Sequence, residues 1–186
     1  MRIIGGEAKS RRLRTLKGRS VRPTLGRVRQ TLFDILAPRV SGARFLDLFA
    51  GSGAIGIEAL SRGAAEAVFV ESDRRAVGRI RDNLAETGLR GNSRVMAARV
   101  ETAIGRLANQ GERFDVIFLD PPYRQPQVAD RTLGRLGETG ELLADGGIVV
   151  VQCSSRHEPT ERAGVLRRGR SRVIGDTALW FYERGA

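Results

Sequence analysis

Asp120-Pro121-Pro122-Tyr123 follows an apolar run at 114–119 and carries the most specific chemistry in the chain. Two successive prolines fix the backbone, and Pro122 brings no amide hydrogen to the Pro121 carbonyl. The Asp120 carboxylate and that carbonyl can then both accept from one NH2 group. Tyr123 adds a flat face for a base taken out of its stack. An aromatic amine is a poor nucleophile, because its lone pair is delocalised into the ring. Two acceptors on its hydrogens favour a more tetrahedral nitrogen and aim the lone pair at an electrophile. Asp120 can also take the proton once the nitrogen becomes cationic. The four residues are the candidate catalytic set. A tight turn with a capping aspartate is the plainer reading.

The candidate electrophile comes from a second motif. Gly51, Gly53 and Gly56 form a G-x-G-x-x-G pattern after the run 43–49. Glycine lets a loop turn tightly and approach a ligand. Glu71 stands twenty positions after Gly51, where a carboxylate can accept the ribose hydroxyls of an adenosine. Dinucleotide enzymes share both features. Asp47 separates the cases: a carboxylate four residues before the first glycine repels a pyrophosphate but attracts a ligand with an ammonium and a sulfonium. S-adenosylmethionine carries both. Its methyl transfer is an in-line displacement, so positioning and electrostatics supply most of the catalysis. Asp47, Phe49, Gly51, Ser52, Gly53, Glu71, Ser72, Arg99 and Val100 make up the candidate cofactor-binding set. For Asp47 the plainer role is a hydrogen bond within its turn.

Both motifs need a scaffold that brings strand ends together. Apolar periodicity predicts a helix that Thr24 caps and Pro38 ends, with Val28, Leu32, Ile35 and Leu36 on one face. Strands are expected at 43–49, 66–71, 93–98, 114–119 and 148–153. Helices between them are expected at 54–62, 74–87 (capped by Asp73), up to about 108, and up to about 137. Two further strand candidates lie near 164–173 and 177–183. Alternating strands and helices imply an α/β fold with a parallel sheet covered on both faces. Ligands of such sheets sit beyond the carboxyl ends of the strands.

The chain has 186 residues and a net charge of +11, with 32 basic and 21 acidic side chains. Residues 1–29 hold ten of the basic ones and a single acid, Glu7. Such a one-sided surface attracts polyanions by counterion release. Arg2, Arg11, Arg12, Arg14, Lys17, Arg19, Arg22, Arg27 and Arg29 are therefore candidate RNA-binding residues. Interleaved apolar residues and Gly5-Gly6 predict a short hairpin rather than a solvated tail. The expected organisation is a basic extension at 1–23 and a catalytic domain at 24–186. Lone Cys153 and lone His157 predict no disulfide framework and no metal site. Cys153 reads as core packing. No apolar run spans a bilayer and no signal peptide is evident, so the expected location is cytoplasmic. Arg167, Arg168, Arg170 and Arg172 either extend the RNA surface or solvate a hairpin.

These residues resemble class I S-adenosylmethionine methyltransferases with an (Asp/Asn)-Pro-Pro-(Tyr/Phe) motif, and more closely the RsmD family, the bacterial 16S rRNA guanine-N2 methyltransferases. The stretches that carry the resemblance are Arg2 to Gly6, Arg22-Pro23-Thr24 with Arg27-Val28-Arg29, Asp47 to Glu58, Asp120 to Tyr123, and Gly175-Asp176-Thr177. The resemblance implies a Rossmann-like seven-stranded sheet, order 3-2-1-4-5-7-6, with strand 7 antiparallel. It implies methylation of guanine N2 at position 966 of 16S rRNA, within a 30S subunit or assembly intermediate. Arg99 departs from the pattern, because many relatives carry an acid there against the adenine amino group. The nearest rival is an N-methyltransferase acting on adenine N6 of DNA or on a protein glutamine. A nicotinamide oxidoreductase leaves Asp47 and Asp120 to Tyr123 unexplained. A non-catalytic RNA-binding assembly factor is the remaining alternative.

Overall fold

The computed structural model describes residues 1–15, 23–122 and 125–185, without the side chains of residues 23–25 and 139. At the centre of one sheet lie β1 (Arg44–Leu48) and β4 (Phe114–Leu119). On the β1 side follow β2 (Glu66–Glu71) and β3 (Ser93–Ala97). On the β4 side follow β5 (Leu143–Ser154), β8 (Thr177–Arg184), β7 (Leu166–Ile174) and β6 (Arg162–Ala163). The first five strands in sequence are parallel to one another, and β8 runs antiparallel to β5 and β7. Without the two-residue β6, the order is the 3-2-1-4-5-7-6 implied by the resemblance. The short edge strand is an addition, formed where Arg162 and Ala163 pair with Arg167 and Leu166.

Each central strand is buried on both faces, as a parallel sheet between helices requires. On one face Phe45, Phe69, Phe118, Val150 and Phe181 pack under α1 (Pro23–Val40), α2 (Ala54–Ser61) and α3 (Arg74–Thr87). On the other, Leu46, Val68, Ile117 and Val149 pack under α4 (Val100–Asn109) and α5 (Gln127–Thr139). The strand period of two places neighbouring residues in opposite cores. Asp73 caps α3 as expected, accepting from the Arg75 and Ala76 amides at 2.7 and 3.1 Å. Ile3, Ala8 and Leu13 join the core beneath α1 to α3. Met1 to Leu13 fold back on themselves through an Arg2–Arg12 bridge.

Several boundaries differ from the sequence expectations, among them both ends of α1 and the start of β5. Helix α1 opens at Pro23, so Thr24 lies inside its first turn. It also continues through Pro38 to Val40. Asp34 and Pro38 are exposed, so water can satisfy the carbonyl that Pro38 leaves without an amide. Strand β5 begins at Leu143, and Gly146 and Gly147 lie within it, where its pairing with β4 shifts register between Phe114 and Val116.

Gly56 faces Phe69, and a Cβ there would lie 2.3 Å from a carbon of that buried ring. Gly56→Ala is expected to destabilise the fold by roughly 1–3 kcal/mol through overpacking. Thermal denaturation reads this as a Tm lowered by about 2–4 °C per kcal/mol for a chain of this size. An unchanged Tm would show that Phe69 can move aside without cost.

Candidate active site

The sheet changes winding direction between β1 and β4, and both acidic motifs sit at the carboxyl ends of those strands. Asp47 lies across from Phe118, two residues before Asp120. The strand period therefore puts both carboxylates on one face of neighbouring strands. After β1 the backbone enters the left-handed region at Phe49 (φ 65°), Gly51 (φ 58°) and Gly53 (φ 78°). Phe49 is the only one of the three with a side chain, and a non-glycine there is uncommon. The turn delivers the chain into α2, whose cap residue, Gly53, has no side chain to offer.

Asp47 supplies that missing acceptor. Its Oδ2 accepts from the Gly56 amide at 2.9 Å, and the residue is 1% exposed. Burial pushes its carboxyl up to about 8, the Gly56 N–H opposes the shift, and the charges of Asp120 and Glu71 add to it. The turn hydrogen bond is thus real, and it leaves a carboxyl whose charge is costly in the resting chain. Glu71 is held by three amides: Gly51 at 2.8 Å, Ser72 at 2.7 Å and Asp73 at 2.9 Å. Ser72 and Arg99 are exposed at the same sheet edge, Arg99 as the cap residue of α4. Val100 is buried in the α4 core.

Asp120 Oδ1 accepts from Gln152 Nε2 at 3.0 Å. Gln152 is buried within the apolar run of β5, and sequence reading passes over it. A signal exists: one amide among Val149, Val150, Val151 and Cys153 needs a buried partner. Among the described residues nothing donates to the Pro121 carbonyl. Pro121 is buried and Pro122 exposed, and the Pro122 carbonyl accepts from Gln125 N at 2.9 Å. Tyr123 lies outside the described residues. Cys153 alternates to the opposite face of β5 from Gln152. Its thiol is 3.5 Å from the His157 carbonyl oxygen, and burial pushes it up to about 11, the state of a packed neutral thiol. Among the described residues no cluster of three or more His, Cys, Asp or Glu is placed to hold a metal.

The N-terminal segment docks through two buried polar residues that sequence reading also passes over. Glu58 accepts from the Ile4 and Gly5 amides at 2.9 and 2.8 Å and from Arg62 Nε at 2.9 Å. Asn83 accepts from Arg14 N at 2.8 Å and donates to Arg14 O at 3.0 Å and Ser52 O at 2.9 Å. One side chain thus joins the N-terminal segment to the glycine loop. Arg2, Arg11, Arg12, Arg14 and Arg27 are exposed. Arg14 pairs with Glu86 at 2.5 Å, and Arg11 reaches the Glu86 carbonyl. Arg29 corrects the expectation of an RNA contact. It is buried, donates to the Arg2 carbonyl and lies 3.6 Å from Glu58, so it supports the segment from beneath. Lys17, Arg19 and Arg22 lie outside the described residues.

Comparison with known proteins places this arrangement. The family model described as "Conserved hypothetical protein 95" matches residues 1–183. Ribosomal RNA small subunit methyltransferase D of Escherichia coli strain K12 is 40% identical over 187 aligned residues, covering 100% of this chain and 91% of that one. The chain belongs to the RsmD family. The YlbH protein of Bacillus subtilis strain 168 is 35% identical and covers 99% of both chains. The solved structure of yhhF from Escherichia coli, at 39% identity, superimposes with a TM-score of 0.83 over 99% of this chain and 97% of that one.

Asp47 generates a pH prediction. Its folded pKa lies above its unfolded value, so the folded chain keeps a proton that the unfolded chain releases. Between about pH 4 and about pH 8, raising the pH therefore favours unfolding. Asp47→Asn should remove this contribution, so the Tm difference between variant and wild type grows in the variant's favour up to about pH 8 and then levels. A difference that is flat from about pH 5 to about pH 9 would show that Asp47 is not protonated at neutral pH.

Proposed function

We propose that this chain transfers the methyl group of S-adenosylmethionine to the exocyclic N2 of a guanine in 16S rRNA, at position 966. The observation that carries the reading is the pairing of Asp47 and Asp120 on one face at the switch point, one suited to a cationic donor and the other to an amine acceptor. Full-length kinship to a small-subunit rRNA methyltransferase supports the substrate class.

The loop from Phe49 to Gly53, with Ser52, holds the cofactor's methionine part against Asp47. Asp47, whose charged form burial disfavours in the unliganded chain, would there face the positive charge that S-adenosylmethionine carries. Glu71 takes the ribose. A carboxylate has about four lone-pair sites, and three of these are taken by amides, so accepting both hydroxyls requires one amide to let go. Ser72 flanks the ribose, and Arg99 and Val100 flank the adenine, with backbone and apolar contacts replacing the acid that many relatives carry.

The target guanine leaves its stack to reach the site, because N2 is inaccessible to in-line attack within a helix. Its amino group donates to Asp120 Oδ and to the Pro121 carbonyl. Tyr123 stacks on the base, and Pro122 keeps the two acceptors in fixed relation. Gln152 holds the Asp120 carboxylate in the orientation this needs. After transfer the nitrogen is cationic, and Asp120 takes its proton. Arg2, Arg11, Arg12, Arg14 and Arg27, with Lys17, Arg19 and Arg22, form an RNA-contacting surface on the 1–23 segment and the start of α1. The substrate is a 30S subunit or an assembly intermediate, and the site of action is the cytoplasm. No helix among the described residues is long and apolar enough to cross a membrane.

The test uses small-subunit particles from cells lacking this chain, with the methyl group mapped by mass spectrometry. The wild type is expected to label guanine N2, whereas a label on adenine, on DNA or on protein would overturn the reading. Asp120→Ala should lower kcat by roughly 10²–10⁴ while S-adenosylmethionine still binds. Full turnover by that variant would remove Asp120 from the mechanism. Replacing Arg11, Arg12 and Arg14 together by alanine should weaken RNA binding and flatten its salt dependence. The log–log slope should fall by about 0.7–0.9 for each phosphate that is no longer neutralised. An unchanged slope would move the RNA surface elsewhere.

A further inference from the structure

Strand β7 carries Arg167, Arg168, Arg170 and Arg172, and nothing so far uses them. Its outer edge is covered by β6 only at Leu166 and Arg167. Arg167, Arg170 and Arg172 are exposed and form no ion pair among the described residues. Arg168 differs: it pairs with Glu158 at 2.6 Å and lies over the Trp180 ring at 4.7 Å.

The register decides where these charges point. Arg168 faces Tyr182, but Ser171 faces Trp180, so β7 carries one extra residue across from β8. A bulge of this kind re-aims the side chains that follow it. Without the extra residue, Arg170 and Arg172 would project on the α5 side, with Trp180 and Cys153. With it, Arg170 lies over the Phe181 ring at 5.2 Å, and Arg172 pairs with Leu179. Leu179 in turn pairs with Gln152, the residue that holds Asp120. Arg172 therefore stands on the face of Asp120, two strands from Gln152, or about 10 Å at the usual strand spacing. Lower on the same face, Arg167 and Arg170 line a groove of about 580 Å³ with Arg39, Phe181 and Glu183, whose carboxylate pairs with Arg39 at 3.3 Å.

We infer that Arg167, Arg170 and Arg172 form a track for the phosphodiester backbone of the RNA strand that flanks the methylated base. The inference rests on the reading given under Proposed function and extends it. The N-terminal segment docks on α2 and α3, over the β1–β2–β3 half of the sheet. The track lies on the opposite half, so substrate is held on both flanks of the site. Charge runs are often merely solvated. Here the bulge and the ring under Arg170 fix the direction of the row toward the catalytic edge. Successive arginines on one strand face are about 6–7 Å apart, comparable with neighbouring phosphates on one strand.

The experiment compares wild type with R167A, R170A and R172A combined, and with R172A alone, whose side chain makes no contact on which the fold depends. It measures the salt dependence of binding to a protein-free 16S rRNA fragment containing the target, S-adenosylmethionine affinity, and KM and kcat on small-subunit particles. The triple variant is expected to lose about 2 in log–log salt slope and to raise KM about tenfold, with kcat and cofactor affinity preserved. R172A alone should show about a third of that decrease in slope. Unchanged slope and KM beside an active wild type overturn the track. A rise in KM on particles with no weakening of fragment binding also overturns it, because the surface would then meet a ribosomal protein. A wild type that methylates no RNA sinks the functional reading itself, and the track with it.

Discussion

A buried carboxylate with no cation beside it among the described residues organises the sheet edge where β1 and β4 end. Asp47 sits at the end of a strand that is apolar on both faces, and its hydrogen-bond donor is the amide of Gly56, in the first turn of α2. Burial pushes its pKa up to about 8, which favours the protonated form there. Its surroundings are therefore not neutral toward ligands. On the function proposed above, a cationic donor in the loop would supply the positive charge that a buried carboxylate lacks and would favour the charged form of Asp47. The glycine pattern alone therefore does not describe the site, because the buried carboxyl beneath it sets the charge balance of the loop.

Two other buried polar groups tie the periphery to that edge. Glu58 and Asn83 lie in helices that pack on the sheet, yet they direct their hydrogen bonds to the backbone of the first fourteen residues. A polar group buried in this way must be satisfied, so the N-terminal segment is held in a definite position. Asn83 also holds the Ser52 carbonyl. A shift of the segment is thereby a shift of the glycine loop. Arg29 belongs to the same arrangement: it donates to the Arg2 carbonyl, and the Glu58 charge opposes the burial that lowers its pKa.

What can be read from the sequence follows from the range of the forces involved. Strands such as 66–71 and 114–119, and the Asp73-capped helix, are legible to the residue because apolar runs and caps are local. The two acidic motifs are legible because their residue types are chemically demanding. Arg29 misleads because charge in sequence says nothing about depth, and its burial depends on Glu58, 29 positions away. Gln152, Asn83 and Glu58 escape notice because their partners are remote along the chain. Pro38 marks the wrong boundary because a proline on the wet side of a last turn costs little. Strand β6 is invisible because two residues hold no period.

Most of β7 is a sheet edge, with main-chain donors and acceptors open to any extended chain of matching register, and Val173 beside them is 57% exposed. Such edges invite self-association. A row of like charges along this one makes two copies repel each other before their strands can pair. Discharging the arginines to probe RNA contact therefore also lifts a guard on solubility, and concentrated preparations of the discharged chain will report on that edge as much as on the nucleic acid.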